Sequence, residues 1–85
     1  MKSVEIYTTP TCPYCVAAKR LLVRKAAPFT EIDVSRDPAA RSAMTARANG
    51  GRTVPQIFIG GKHVGGCDDL HALDDAGRLD PLLAD

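Results

Sequence analysis

Two cysteines, Cys12 and Cys15, stand two residues apart in the stretch TTPTCPYCVAAKRLL (residues 8–22), and a third, Cys67, lies far along the chain. Three kinds of chemistry use thiols so closely spaced: metal binding, a structural cross-link, and a pair oxidised and reduced in turn. A zinc site takes about four soft ligands, commonly a second CxxC or two histidines at short spacing. The remaining candidates here, Cys67, His63 and His71, are scattered around a glycine turn and the segment after it. No metal is therefore expected. A permanent disulfide framework suits an oxidising compartment and an even cysteine count. This chain has three cysteines, and its opening MKSVEIYTT shows neither the apolar region nor the cleavage site of a signal peptide. A cytoplasmic location is expected, where thiols are kept reduced. The redox pair is the reading that fits, because CxxC beside a strand–helix–strand pattern is a fairly specific redox signature.

The spacing also assigns roles. Cys12 falls at a strand-to-helix junction, where unpaired N–H groups and the positive end of the helix dipole favour thiolate over thiol. The thiolate is the nucleophile of disulfide exchange, and cysteines in such pairs titrate well below the usual value of about 8.5. Cys15, one helical turn on and expected to be buried, can approach the Cys12 sulfur to close a small ring. Cys12 is expected to attack and Cys15 to resolve.

The elements that must position this pair are readable. VEIYT (4–8) alternates and is rich in β-formers, which predicts a strand. A helix begins at Thr11 or Cys12, with Pro13 suited to its first turn and Ala17, Ala18, Leu21 and Leu22 as its apolar face, and AAP (26–28) ends it. FTEIDV (29–34) predicts a second strand. Asp37-Pro38 starts a second helix that runs to Asn49-Gly50-Gly51. QIFI (56–59) and KHV (62–64) form a hairpin about Gly60-Gly61, and a last helix starts at Asp68 or Asp69 and runs to about Ala76, with LDPLLA adding a short turn. The order β-α-β-α-β-β-α, with a right-handed parallel βαβ unit followed by antiparallel strands, predicts one α/β domain over residues 1–85: a four-stranded mixed sheet with helices on both faces.

Composition bounds the function further. Eighty-five residues, 45% hydrophobic and 25% charged, suit a small soluble domain. No apolar run approaches the ~20 residues that span a bilayer, so no membrane association is expected. The net charge of +1 hides an asymmetry: Lys19–Arg52 carries eight basic and three acidic residues, Cys67–Asp85 six Asp and one Arg. Two solvated faces of opposite sign account for this; so does a site for a ligand bearing both carboxylate and ammonium groups. Four aromatics beside the basic residues are too few for a nucleic-acid surface.

CPYC (12–15), TVP (53–55) and GGCDD (65–69), at these spacings and in this element order, resemble the dithiol glutaredoxins, the small bacterial type most closely, over nearly the whole chain. The resemblance implies a thioredoxin-like fold and glutathione-dependent reduction of protein disulfides and glutathione mixed disulfides by a monomer, with glutathione regenerated by NADPH and glutathione reductase. It implies that Pro55 is cis and faces the active cysteine. A cis peptide there turns the backbone groups of Val54 outward to pair with an extended thiol peptide, with Thr53 lining the same groove. In GGCDD, glycine at Gly66 allows close backbone approach, and the N–H groups at Cys67 and Asp68 suit a carboxylate. Asp68 or Asp69 suits an ammonium group; a γ-glutamyl unit carries both charges on one carbon. The glycyl carboxylate at the other end is expected to meet Arg41, Arg47 or Arg52, and Tyr14 either flanks the glutathione sulfur or covers the helix start. Thr9 departs from the pattern, standing where many members have a lysine or arginine; it offers the site a hydroxyl without charge. Cys67 is either a small residue tolerated at a helix start or a partly exposed thiol open to glutathionylation. Two other functions fit the motifs less well: a redoxin served by thioredoxin reductase, and a carrier of a glutathione-ligated iron–sulfur cluster.

Overall fold

The computed structural model describes residues 1–85 as β1 (Val4–Thr8), α1 (Pro13–Arg24), β2 (Phe29–Asp33), α2 (Pro38–Arg47), β3 (Gln56–Ile59), β4 (Lys62–Gly65), α3 (Cys67–Asp75) and α4 (Leu79–Leu83). The strands lie in the order β2-β1-β3-β4; β1 and β2 are parallel, and β3 is antiparallel to both β1 and β4. No helix is long and apolar enough to cross a membrane. Two boundaries differ from the sequence reading. The LDPLLA segment forms a true short helix, and α3 starts at Cys67 because Asp69 reaches back to cap Gly66 from the third helical position.

The period of two along β1 and β3 builds two cores, one on each face. Val4, Ile6, Ile57 and Ile59 point to one side, where they pack with Ala18, Leu21 and Leu22 of α1, Leu70 of α3, and Leu79 and Leu83 of α4. Tyr7 and Phe58 point to the other, against Met44 and Ala48 at α2. Helices thus cover both faces, and β1 and β3 are central and buried while β2 and β4 form the edges. Part of the charge asymmetry resolves into a tie between elements: Lys25 at the end of α1 pairs with Asp74 of α3 at 2.6 Å and Asp80 of α4 at 3.1 Å.

Both long helices stop in the same way. At the end of α1 the N–H of Ala27 donates to Leu22 O (3.0 Å) and that of Ala26 to Val23 O (2.9 Å), the paired bonds of a Schellman turn. At the end of α2 the N–H of Gly50 donates to Thr45 O (2.9 Å). Such a turn needs one left-handed residue, and both occupants have φ of 54°. At α2 that residue is Asn49, which tolerates the conformation; at α1 it is Ala26, whose Cβ does not. Replacing Ala26→Gly should therefore stabilise the protein by about 1 kcal/mol. A denaturant or thermal unfolding comparison of the two proteins checks this through a raised midpoint.

Candidate active site

The chain leaves β1 at Thr8 and turns into α1 with Cys12 as the residue that caps the helix. Cys12 has extended backbone (φ −94°, ψ 111°), and its sulfur accepts the N–H of Cys15 at 3.2 Å. A sulfur thus stands where a cap usually offers a hydroxyl or carboxylate oxygen, aimed at the unpaired N–H groups of the first turn. Pro13 fills the first helical position, where no N–H is missed. A second element meets the same atom: the Cys12 thiol points to the carbonyl of Val54 at 3.7 Å, in the segment before β3 whose Val54–Pro55 peptide is cis.

Cys15 lies one turn further on and faces the core, 1% exposed. Burial pushes its thiol up to about 12, the neighbouring Cys12 sulfur adds to that, and the Thr9 backbone and Lys19 pull the other way. The two thiols are thereby unequal: Cys12 half-buried beside the cleft, Cys15 sealed and protonated.

Beside them lies a cleft of about 450 Å³. Thr53, Val54 and Pro55 form one wall; Gly66, Cys67, Asp68 and Asp69, at the start of α3, form the facing one; and Tyr14, 63% exposed, stands at the mouth. The three motifs CPYC, TVP and GGCDD are therefore brought together. Asp69 caps α3, its Oδ2 accepting the Gly66 N–H at 2.9 Å, while the Asp68 side chain is exposed and has no hydrogen-bond partner in the chain. Gly65 has φ of 121°, and a side chain there would run into the Asp69 carboxylate, so glycine is required.

Other expected residues lie elsewhere. Arg41 is outside the cleft: its guanidinium donates to the carbonyl of Arg52 at 3.1 Å, and its side chain lines a separate hollow with Ser35 and Arg36. Arg47 is committed to the sheet face that carries Tyr7 and Phe58, forked onto Glu5 at 3.0 and 3.1 Å, bonded to the Tyr7 hydroxyl, and stacked 4.0 Å over the Phe58 ring. The cleft lining contains no lysine or arginine. Thr9 is likewise not part of the lining; its backbone lies against Cys15. Of the two readings of Cys67, the structure matches the small residue at a helix start and not the partly exposed thiol. As the first residue of α3 it turns beneath the helix into the core, 7% exposed, with its sulfur 3.4 Å from His71 Nδ1, and burial followed by the Asp68 charge pushes its thiol up. Three lining residues, Gly51, Gln56 and His63, escaped the sequence reading. The available signal was Gln56 itself, a polar residue opening an otherwise apolar strand.

Comparison with known proteins gives a consistent set of matches. A family model described as glutaredoxin matches residues 4–64. The glutaredoxin of Pseudomonas aeruginosa is 57% identical over 84 residues, covering 99% of each chain. Glutaredoxin 3 of Escherichia coli K12 is 55% identical over 83 residues, 98% of this chain and 99% of its own. Among solved structures, the solution structure of a Brucella melitensis glutaredoxin has a TM-score of 0.85 at 60% identity, covering 98% of this chain and 89% of that one. A buckwheat glutaredoxin–glutathione complex has a TM-score of 0.84 at 33% identity, covering 94% and 74%. The expected thioredoxin-like arrangement is the one these structures share.

The inequality of the thiols sets an expected outcome. Iodoacetamide at neutral pH should place one label, on Cys12, while Cys15 and Cys67 react only on unfolding. Because the Cys15 thiol is raised, taking the folded protein from pH 7 to pH 10 should not open it to labelling. Peptide mapping by mass spectrometry after a timed quench checks this.

Proposed function

The chain belongs to the glutaredoxin family, whose members are thiol–disulfide oxidoreductases, and within that activity we propose that Cys12 works on glutathione mixed disulfides and takes its electrons from glutathione. The observation that carries the proposal is the meeting of three elements at one cleft: the Cys12 sulfur on the N-terminus of α1, the Val54 carbonyl opposite it, and the N-terminus of α3 with Asp68 beside it. The buckwheat relative was solved as a glutathione complex, which supports the same ligand here.

Each part of a glutathionyl group has a partner in this proposal. The γ-glutamyl carboxylate takes the N–H groups of Cys67 and Asp68, and its ammonium takes the free carboxylate of Asp68, with Asp69 supporting through its cap on Gly66. The cysteinyl backbone pairs with the N–H and C=O of Val54 as an added strand would. Ionisation of Cys12 removes its S–H donor and frees the Val54 carbonyl for this pairing. Tyr14 covers the sulfur pair, and Thr53 lines the groove. The glycyl carboxylate falls to Arg52, exposed and next to Thr53, in place of Arg41.

The Cys12 thiolate attacks the glutathione sulfur of a protein–glutathione mixed disulfide. A Cys12–glutathione disulfide forms, and the protein sulfur leaves and takes up a proton. The thiolate of a second glutathione attacks the glutathione sulfur of that intermediate, releasing oxidised glutathione and restoring the Cys12 thiolate. For a protein disulfide, Cys12 forms a mixed disulfide with one protein sulfur. Cys15 then loses its proton, attacks the Cys12 sulfur and frees the protein dithiol, leaving a Cys12–Cys15 bond that two glutathiones reduce. The raised Cys15 thiol suits this order, because a protonated Cys15 does not compete while Cys12 carries glutathione. NADPH and glutathione reductase close the cycle.

Turnover with glutathione, NADPH and glutathione reductase tests the proposal. Cys12→Ser should lower both reactions by about three orders of magnitude or more. Cys15→Ser should keep reduction of the glutathione mixed disulfide and lose reduction of protein disulfides. Turnover supported by thioredoxin reductase in place of glutathione would overturn the assignment of the electron source.

A further inference from the structure

Residues 52–54, of which Thr53 and Val54 form the cleft wall opposite Cys12, make no backbone–backbone hydrogen bond. Three side chains tie this backbone down instead. Arg41 donates to the Arg52 carbonyl at 3.1 Å, Gln56 donates to the Thr53 carbonyl at 3.0 Å, and the Cys12 thiol points to the Val54 carbonyl at 3.7 Å. The third tie is given up whenever Cys12 ionises or forms a disulfide, so the pose of the wall during reaction depends on the other two. Of these, Arg41 is exposed to solvent and Gln56 is 5% exposed.

A buried amide is stable only with both ends satisfied. The Gln56 nitrogen faces two oxygens of Thr53, the carbonyl and, at 3.4 Å, the hydroxyl. That fixes the amide orientation and turns its oxygen to His63 Nε2, 2.7 Å away. His63 must then carry its proton on Nε2 and donate. The His63 ring lies 5.1 Å from that of Phe58, which Arg47 covers from above. Gly51 leaves the room required, since a side chain on it would meet the Gln56 amide nitrogen at 3.0 Å.

We propose that Gln56, oriented by His63, is a positioning residue that holds the Thr53–Val54 backbone in the pose that docks the substrate against Cys12. Its side-chain hydrogen bonds go to Thr53 and His63 and not to Cys12 or Cys15, so it acts through the wall it holds. The identity of the substrate rests on the glutathione reading above; the clamp does not.

The test compares wild type with Gln56→Leu, which keeps the buried volume and removes both hydrogen bonds. KM for a glutathione mixed disulfide should rise about tenfold, the scale of one lost hydrogen bond. The rate at which iodoacetamide, which needs no docking, labels Cys12 should stay within about twofold, the thiol's cap on α1 being untouched. In NMR spectra of the same variant the Thr53 and Val54 amide signals should shift or broaden while those of Ile57–Ile59 hold. His63→Leu should raise KM in the same direction, and His63→Gln, which keeps an N–H donor, should recover part of the loss. Unchanged KM, unchanged Thr53 and Val54 signals, or a labelling rate that falls together with turnover would each overturn the clamp. If wild type itself fails to turn over the mixed disulfide, the glutathione reading fails and the amide signals alone decide. If Gln56→Leu does not fold, the two His63 variants decide.

Discussion

The hydrogen bond from the Cys15 N–H to the Cys12 sulfur organises this molecule. Helix α1 needs an acceptor at its first turn, and the sulfur provides it by taking the place of a cap oxygen. That substitution turns a structural requirement into a chemical one: the atom that closes the helix is the atom proposed to react. The same bond places Cys15 one turn inward, against the core, where burial keeps it protonated. The pair is unequal because helix geometry puts one thiol at the end of the helix and the other on its buried face.

The two cores then divide the work of building the cleft. The face that holds α1, α3 and α4 fixes the start of α1 relative to the start of α3, so Cys12 and the Gly66–Asp69 turn keep their spacing. The opposite face holds α2 through Met44, Ala48 and the Arg47–Glu5 fork, and through Arg41 reaches the wall ahead of β3. The Cys12 thiol thus stands on one packing layer, while the wall it faces is held by the other. The cleft lies where they meet, at the ends of the two central strands.

Local patterns made most of this legible. The alternation in VEIYT and the QIFI run before the Gly60-Gly61 turn marked the central strands, and Asp37-Pro38 and Cys12-Pro13 marked two helix starts, because each signal is carried by neighbours in the chain. Tertiary contacts were less visible. Arg41 and Arg47 read alike as basic residues on one helix, yet one bonds a loop carbonyl and the other stacks on Phe58, partners that only folding supplies. The burial of Cys67 follows from α3 beginning at that residue, and this in turn follows from Asp69 capping backwards instead of starting the helix. The link between Gln56 and His63 was hidden for the same reason: it lies in a hydrogen bond between β3 and β4 and in a wall with no backbone ladder of its own.

The central claim is that one sulfur, that of Cys12, carries the glutathionyl group. The direct measurement is to expose reduced Cys15→Ser protein to oxidised glutathione, quench in acid, and map the adduct by mass spectrometry. One glutathione per chain is expected, on Cys12, with Cys67 unmodified. An adduct on Cys67, or none at all under conditions where a small free thiol is fully exchanged, would contradict it.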